Sequence, residues 1–162
     1  MGRIYTVAQS FTLANAGGDA DLVEISPAAN KPCKIVSIEV SQTSEVAEAQ
    51  EEGLRLTLVR VPATLTSGSG GSTATVQLPD RSLAAVGFAA EFNNTTLATT
   101  SGTLAPVFES GWNERATPYR KEWVDPATRP SAINGEALCL RSATTPADDM
   151  TLQVTVEVEE EG

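Results

Sequence analysis

The sequence predicts an all-β protein: an antiparallel β-sandwich, jelly-roll-like, with eight to ten short strands and long loops. Three observations carry this. Apolar and polar residues alternate with period two over several runs, as in strands that are buried on one side and wet on the other. Turn residues recur at intervals of about ten positions, the spacing of antiparallel sandwiches and barrels. Aromatic content is only 5% beside 12 Gly and 9 Pro, so a core must be assembled from Val, Leu, Ile and Ala strung between turns. The 162 residues are expected to form a single β-sandwich domain, 1–162, with a short N-terminal arm and an acidic C-terminal end. That length suffices to bury a core without metal or disulfide staples.

Taken in order, residues 3–13 (RIYTVAQSFTL) read as a first strand broken around Gln9, with residues 2–7, including Ile4 and Tyr5, as the arm. NAGGDAD is a turn, since Gly17 and Gly18 adopt positive φ without strain. Residues 21–26 form a short strand that Pro27 ends, and the proline-bounded loop PAANKP leads into the next. Residues 34–41 place Val36, Ile38 and Val40 on one face and Ser37, Glu39 and Ser41 on the other. Residues 54–61 repeat the device with Leu54, Leu56 and Leu58.

Between these two strands lies an acidic connector carrying Glu45, Glu48, Glu51 and Glu52. Ser44 is placed to cap one helical turn there and Gly53 to stop it, but the apolar residues are few. Two readings stand: a solvated loop, or an arm aimed at a basic partner surface.

The glycine-serine stretch TSGSGGST reads as a flexible surface loop. It lacks the GK[ST] ending and the GxGxxG spacing that would cradle phosphates. STATVQL is a strand, and DRSLAAVGF a candidate helical turn with Asp80 as its cap. AAEFNNTT is a strand entering a tight Asn-Asn turn. Residues 97–124 gather Phe108, Trp112, Tyr119 and Trp123, interleaved with Arg115, Arg120 and Lys121. With Pro118, Pro126 and Pro130 close by, this segment reads as a draped loop. Its aromatics suit core or inter-subunit anchoring, because Trp, Tyr and Arg dominate interface energetics. GEALCLRS places Leu138 and Leu140 inward, with Cys139 and Arg141 on the opposite face. From Met150 to Glu159 the alternation is the longest in the chain, and the EEEG ending adds charge that discourages edge pairing.

A net charge of −10 argues against nucleic acid and anionic membranes as partners. No run approaches the ~20 apolar residues of a membrane span, and no secretory leader is evident, so synthesis in a cytoplasm is expected. Histidine is absent, which removes the commonest general base and metal ligand together. Cys33 and Cys139 cannot build a zinc cluster alone, and for a cytoplasmic product reduced thiols are favoured over a bridge. Asp19/Asp21 and Asp148-Asp149 lack the spacing of a calcium loop. No catalytic residue, cofactor or metal is expected.

Several stretches together resemble a known group: MGRIYTV, the PA-x-x-KP loop, SIEVSQTSEVAEAQEEGLRL, TSGSGG, NNTT, and GEALCLR with PADDMTL. The likeness is to small virion structural proteins of tailed bacteriophages and prophages, of the head decoration (cement) kind. It implies a non-enzymatic capsid protein, made in the bacterial host cytoplasm and resident on the virion. Such a protein forms homo-oligomers, often trimers, and binds the major capsid protein lattice to brace the head. The resemblance supplies no site residues. The chain itself offers Phe108, Trp112, Arg115, Tyr119, Arg120 and Trp123 as first interface candidates and Ile4 and Tyr5 as second. Glu48 and Glu51 would steer the approach to a basic patch. The alternative is a tail or fibre β-module binding a host-surface glycan, with Trp112 or Trp123 flat and exposed.

Overall fold

A computed structural model describes residues 2–45, 51–82 and 84–162. Twelve strands lie among them. The longer ones are β1 (Arg3–Leu13), β2 (Ala20–Ser26), β3 (Cys33–Gln42), β4 (Gly53–Val61), β7 (Ala89–Asn94), β8 (Ala105–Asn113), β9 (Tyr119–Glu122), β11 (Ala137–Ser142) and β12 (Met150–Glu160). Three are two-residue pieces: β5 (Ser72–Thr73), β6 (Val76–Gln77) and β10 (Ser131–Ala132). They form two antiparallel six-stranded sheets that pack as a β-sandwich. The first runs β10-β3-β12-β1-β6, with β9 also on the outer edge of β3, and the second runs β5-β7-β2-β11-β4-β8. Among the described residues no helix is long and apolar enough to cross a membrane.

The strongest alternation becomes the centre of the first sheet. Met150, Leu152, Val154, Val156 and Val158 of β12 are fully buried, and β12 is paired along its length by β1 on one side and β3 on the other. Each large apolar side chain so buried stabilises the fold by roughly 1.5–3 kcal/mol. The acidic ending therefore does not guard an edge, contrary to expectation, because β12 is an interior strand through Glu160, and the ending's charges are matched. Glu160 is buried, accepts from Lys31 Nζ at 3.1 Å and receives the backbone N–H groups of Gly87 (2.7 Å) and Phe88 (3.1 Å). Glu159 pairs with Arg129 at 2.7 Å, and Glu161 with Lys34.

Four further expectations change. β1 is unbroken at Gln9, and residues 3–7 are strand, not a free arm, because β12 pairs with them register for register from Glu160 inward. STATVQL divides into β5 and β6, which join different sheets. Asp80 makes a local turn, accepting from the N–H (2.9 Å) and hydroxyl (2.7 Å) of Ser82, and no helix follows among the described residues. Residues 97–124 are not a draped loop, since they contain β8 and β9. Their alternation is hard to see because both are edge strands, with Ser110 and Lys121 at inward positions and Pro106 and Gly111 interrupting.

The two arms of the long connection from β4 to β8, residues 62–71 and 95–104, fold over the outer face of the second sheet. This explains why β11 is buried on both faces. Leu138 and Leu140 enter the main core, while Ala137 and Cys139 join Val59, Val61 and Ala98 in a second apolar cluster under the covering segment. The glycine-serine stretch is held there by paired backbone bonds, Thr66 with Thr99 and Ser69 with Thr96, at 2.8–3.0 Å. Gly71 is required by close approach, as a Cβ at that position would sit 2.1 Å from the carbonyl oxygen of Phe92. The expected tight Asn-Asn turn is not formed: Asn93 and Asn94 are the last residues of β7, although Asn93 adopts φ 57°. Cys33 and Cys139 are both free and buried.

Candidate functional site

The aromatic residues singled out in the sequence do converge, but as a seam closing one open side of the sandwich. β8 and β9 are edge strands of opposite sheets, and the pairing register turns Phe108, Ser110 and Trp112 of β8 toward the core side, opposite Leu58, Leu56 and Leu54. Tyr119 and Lys121 of β9 face the same gap from beside Val40 and Ile38. Phe108 and Trp123 meet edge to face, with ring centroids 5.8 Å apart, and Lys121 Nζ lies 5.4 Å from both rings. That geometry is a cation–π contact shared between two aromatics. Burial lifts the Tyr119 hydroxyl above its ordinary pKa, with a hydrogen bond to Ser110 opposing.

Placement corrects several interface candidates. Trp112 is only 5% exposed, belongs to the main core and donates its indole N–H to the Thr117 carbonyl at 3.2 Å. Tyr5 is fully buried, with its hydroxyl on the Ala84 carbonyl at 3.1 Å. Neither presents a surface to a partner. Both sit at inward positions of their strands, which a segment read as loop or arm could not reveal. Phe108, Tyr119 and Trp123 are half-buried in the seam. Ile4 is partly exposed on β1, and Arg115 is exposed in the β8–β9 turn. Arg120 lies on the outer face near Glu39 (3.6 Å) and Glu122 (3.8 Å). Glu51 is exposed and accepts from the Asn113 side chain at 3.0 Å, whereas Glu48 lies outside the described residues.

A second grouping was not legible beforehand. The antiparallel register brings four sheet-to-sheet connections to one end of the sandwich: β1–β2, β3–β4, β8–β9 and β11–β12. Asn15 links the first to the last, donating its backbone N–H to Asp149 at 3.0 Å and its side chain to the Ala147 carbonyl at 3.1 Å. Glu52 receives the N–H of Ala147 at 2.9 Å, and its own N–H donates to the Glu114 carboxylate. The described residues of these connections carry Asp19, Glu45, Glu51, Glu52, Glu114, Asp148 and Asp149 against one cation, Arg115. So concentrated a negative charge gives this end a strongly negative potential. The connector glutamates were visible in the sequence, but their meeting with Asp148 and Asp149 depends on the pairing of distant strands.

The third grouping is buried on the outer side of β2 and β11. Arg141 donates to Asp21 through Nε (2.7 Å) and Nη2 (3.2 Å), and Asp21 also receives the Ala98 N–H at 2.8 Å. Glu24 accepts from the Gly68 N–H (2.9 Å), the Asn94 side chain (3.1 Å) and the Ser67 hydroxyl. Burial raises the Asp21 carboxyl above its usual range despite Arg141 and the Ala98 N–H, and it raises the Cys139 thiol strongly. Asp21, Glu24 and Cys139 hold potential metal-ligating atoms within 4.8 Å of one another. Each carboxylate is already engaged by protein donors, and Arg141 supplies the local positive charge. The cluster works as a knot that ties the covering segment to the sheet.

No protein-family model, curated protein or solved structure matches the chain.

Proposed function

We propose that this chain is a non-enzymatic virion structural protein, a decoration or cement protein that binds the major capsid lattice of a tailed bacteriophage head. The observation that carries the reading is strand order. Setting aside the short pieces and β7, the two sheets run β1-β12-β3-β9 and β2-β11-β4-β8, with the chain crossing between sheets at every long connection except the excursion from β4 to β8. That order supports a jelly roll, an architecture that recurs in viral capsid and lectin domains. Fold analogy alone does not assign function, and here it joins the sequence resemblance to phage head proteins.

The acidic end supplies a docking surface of the right kind. Its exposed Glu51, Asp148 and Asp149 sit on connections anchored to the sheets, so they approach a basic lattice surface largely pre-ordered. Assembly as trimers, and residence on the capsid surface, belong to the same proposal. The glycan-binding alternative asks for a flat, exposed tryptophan. Trp112 is in the core and Trp123 is packed against Phe108, which favours the lattice-binding reading.

Co-sedimentation of the purified protein with expanded empty heads and, separately, with isolated tails tests this. The reading expects saturable binding to heads and none to tails. Binding to tails alone would overturn it.

A further inference from the structure

We infer that Glu114 marks a divalent-cation site of the calcium type at the acidic end. This inference does not depend on the virion reading. Glu114 opens the β8–β9 turn, and its side chain folds inward until only 2% of the residue is exposed. One carboxylate oxygen accepts the Glu52 N–H. The other, Oε2, is buried and has no hydrogen-bond partner among the described residues. A buried carboxylate in that condition is costly, because desolvation penalises the charge and a single backbone N–H, that of Glu52, is all that offsets it among the described residues.

The surroundings fit a hard cation. A cavity of about 60 Å³ adjoins Glu114, lined also by Ser41, Gln42, Trp112, Ala116 and Pro118. That volume accommodates an ion with a water or two. Its potential donors are oxygens, from Ser41, Gln42 and Glu114, and no His or Cys lines it. Oxygen-only surroundings select Ca²⁺ or Mg²⁺ over softer metals. Ca²⁺ tolerates the irregular, partly hydrated shell offered here, while Mg²⁺ demands octahedral geometry and gives up water reluctantly.

Gln42 fixes the mouth of the site, donating to the Glu114 carbonyl at 2.9 Å and accepting the Glu45 N–H at 2.9 Å. An ion here would bind the end of β3 to the β8–β9 turn. The neighbouring Glu45, Glu51 and Glu52 add attraction without being required as ligands. With one buried carboxylate as the main charged ligand, affinity belongs to the weak class, with Kd on the order of 10⁻⁴–10⁻³ M.

Terbium is the probe, because Trp112 lines the cavity and its excitation sensitises Tb³⁺ emission at short range. In chelator-treated protein the site predicts saturable sensitised emission that millimolar Ca²⁺ displaces. Glu114→Gln, which keeps the acceptor for the Glu52 N–H, should weaken the Tb³⁺ affinity at least tenfold. Trp112→Phe should remove most of the emission, and the wild-type protein should show a Ca²⁺-dependent rise in thermal midpoint. That second variant decides the matter should the first fail to fold. Emission unchanged in Trp112→Phe, affinity retained in Glu114→Gln, or a wild-type midpoint indifferent to Ca²⁺ would each overturn the inference.

Discussion

Arg141 on β11 and Asp21 on β2 form a buried pair at 2.7 Å that spans neighbouring strands and reaches past them to Ala98. The guanidinium also donates to the Ala98 carbonyl at 3.2 Å, so one ion pair holds both backbone groups of that residue. Removing one partner of such a pair leaves an uncompensated buried charge. Asp21→Asn should lower stability by about 3–5 kcal/mol, read as a fall in the urea midpoint. It should also expose residues 62–71 and 95–104 to limited proteolysis before the rest of the chain. Global loss of stability with no preferential cleavage there would deny the knot its proposed role.

Trp112 and Trp123 should separate cleanly. Trp112→Ala excavates the core and should cost about 3–5 kcal/mol. Trp123→Ala removes a half-buried ring from the Phe108–Lys121 seam and should cost clearly less. Thermal melts of the two variants decide it, and equal losses would contradict the burial assigned to them.

The thiols give stability a defined pH dependence. Burial, with a smaller contribution from the Glu160 charge, pushes folded Cys33 up to about 12 from an ordinary value of 9.0, and Cys139 is raised too. Unfolded thiols ionise near 9.0, so between that pH and about 12 the folded state holds more protons than the unfolded one. Stability from these groups is therefore complete below the unfolded value and falls as pH rises through the window. Urea midpoints at pH 8 and pH 10.5 should show the decline, and a Cys33→Ala/Cys139→Ala variant should show a smaller one. A double variant with an undiminished slope would assign the effect to other groups.

What the sequence disclosed and what it hid follow from range. Period-two alternation is local, so β3, β4, β11 and β12 stood out, and the all-β sandwich with them. Inwardness of Trp112 or Tyr5 depends on which strand lies opposite, as does the meeting of Glu52 with Ala147. Those facts come from pairings between residues far apart in the chain. The edge strands β8 and β9 were missed because half-buried edges carry polar residues at inward positions, which blurs the alternation. Arg141 was placed on the correct face, but its partner Asp21, 120 positions away, had no local mark.

If the acidic end meets the lattice, its exposed charges govern the encounter. Glu51→Gln combined with Asp148→Asn should weaken head binding about tenfold at low ionic strength and much less at high salt. The unfolding midpoint should stay where it was, since both residues are exposed. Unaltered binding across the salt range would remove this end from the interface.

The most direct measurement is a side-chain-resolution cryo-EM map of the virion. The account predicts this two-sheet module repeated over the outer capsid lattice, with the end bearing Glu51 and Asp148 against the major capsid protein. Finding the module only at the tail, or on the head with that end turned to solvent, would contradict it.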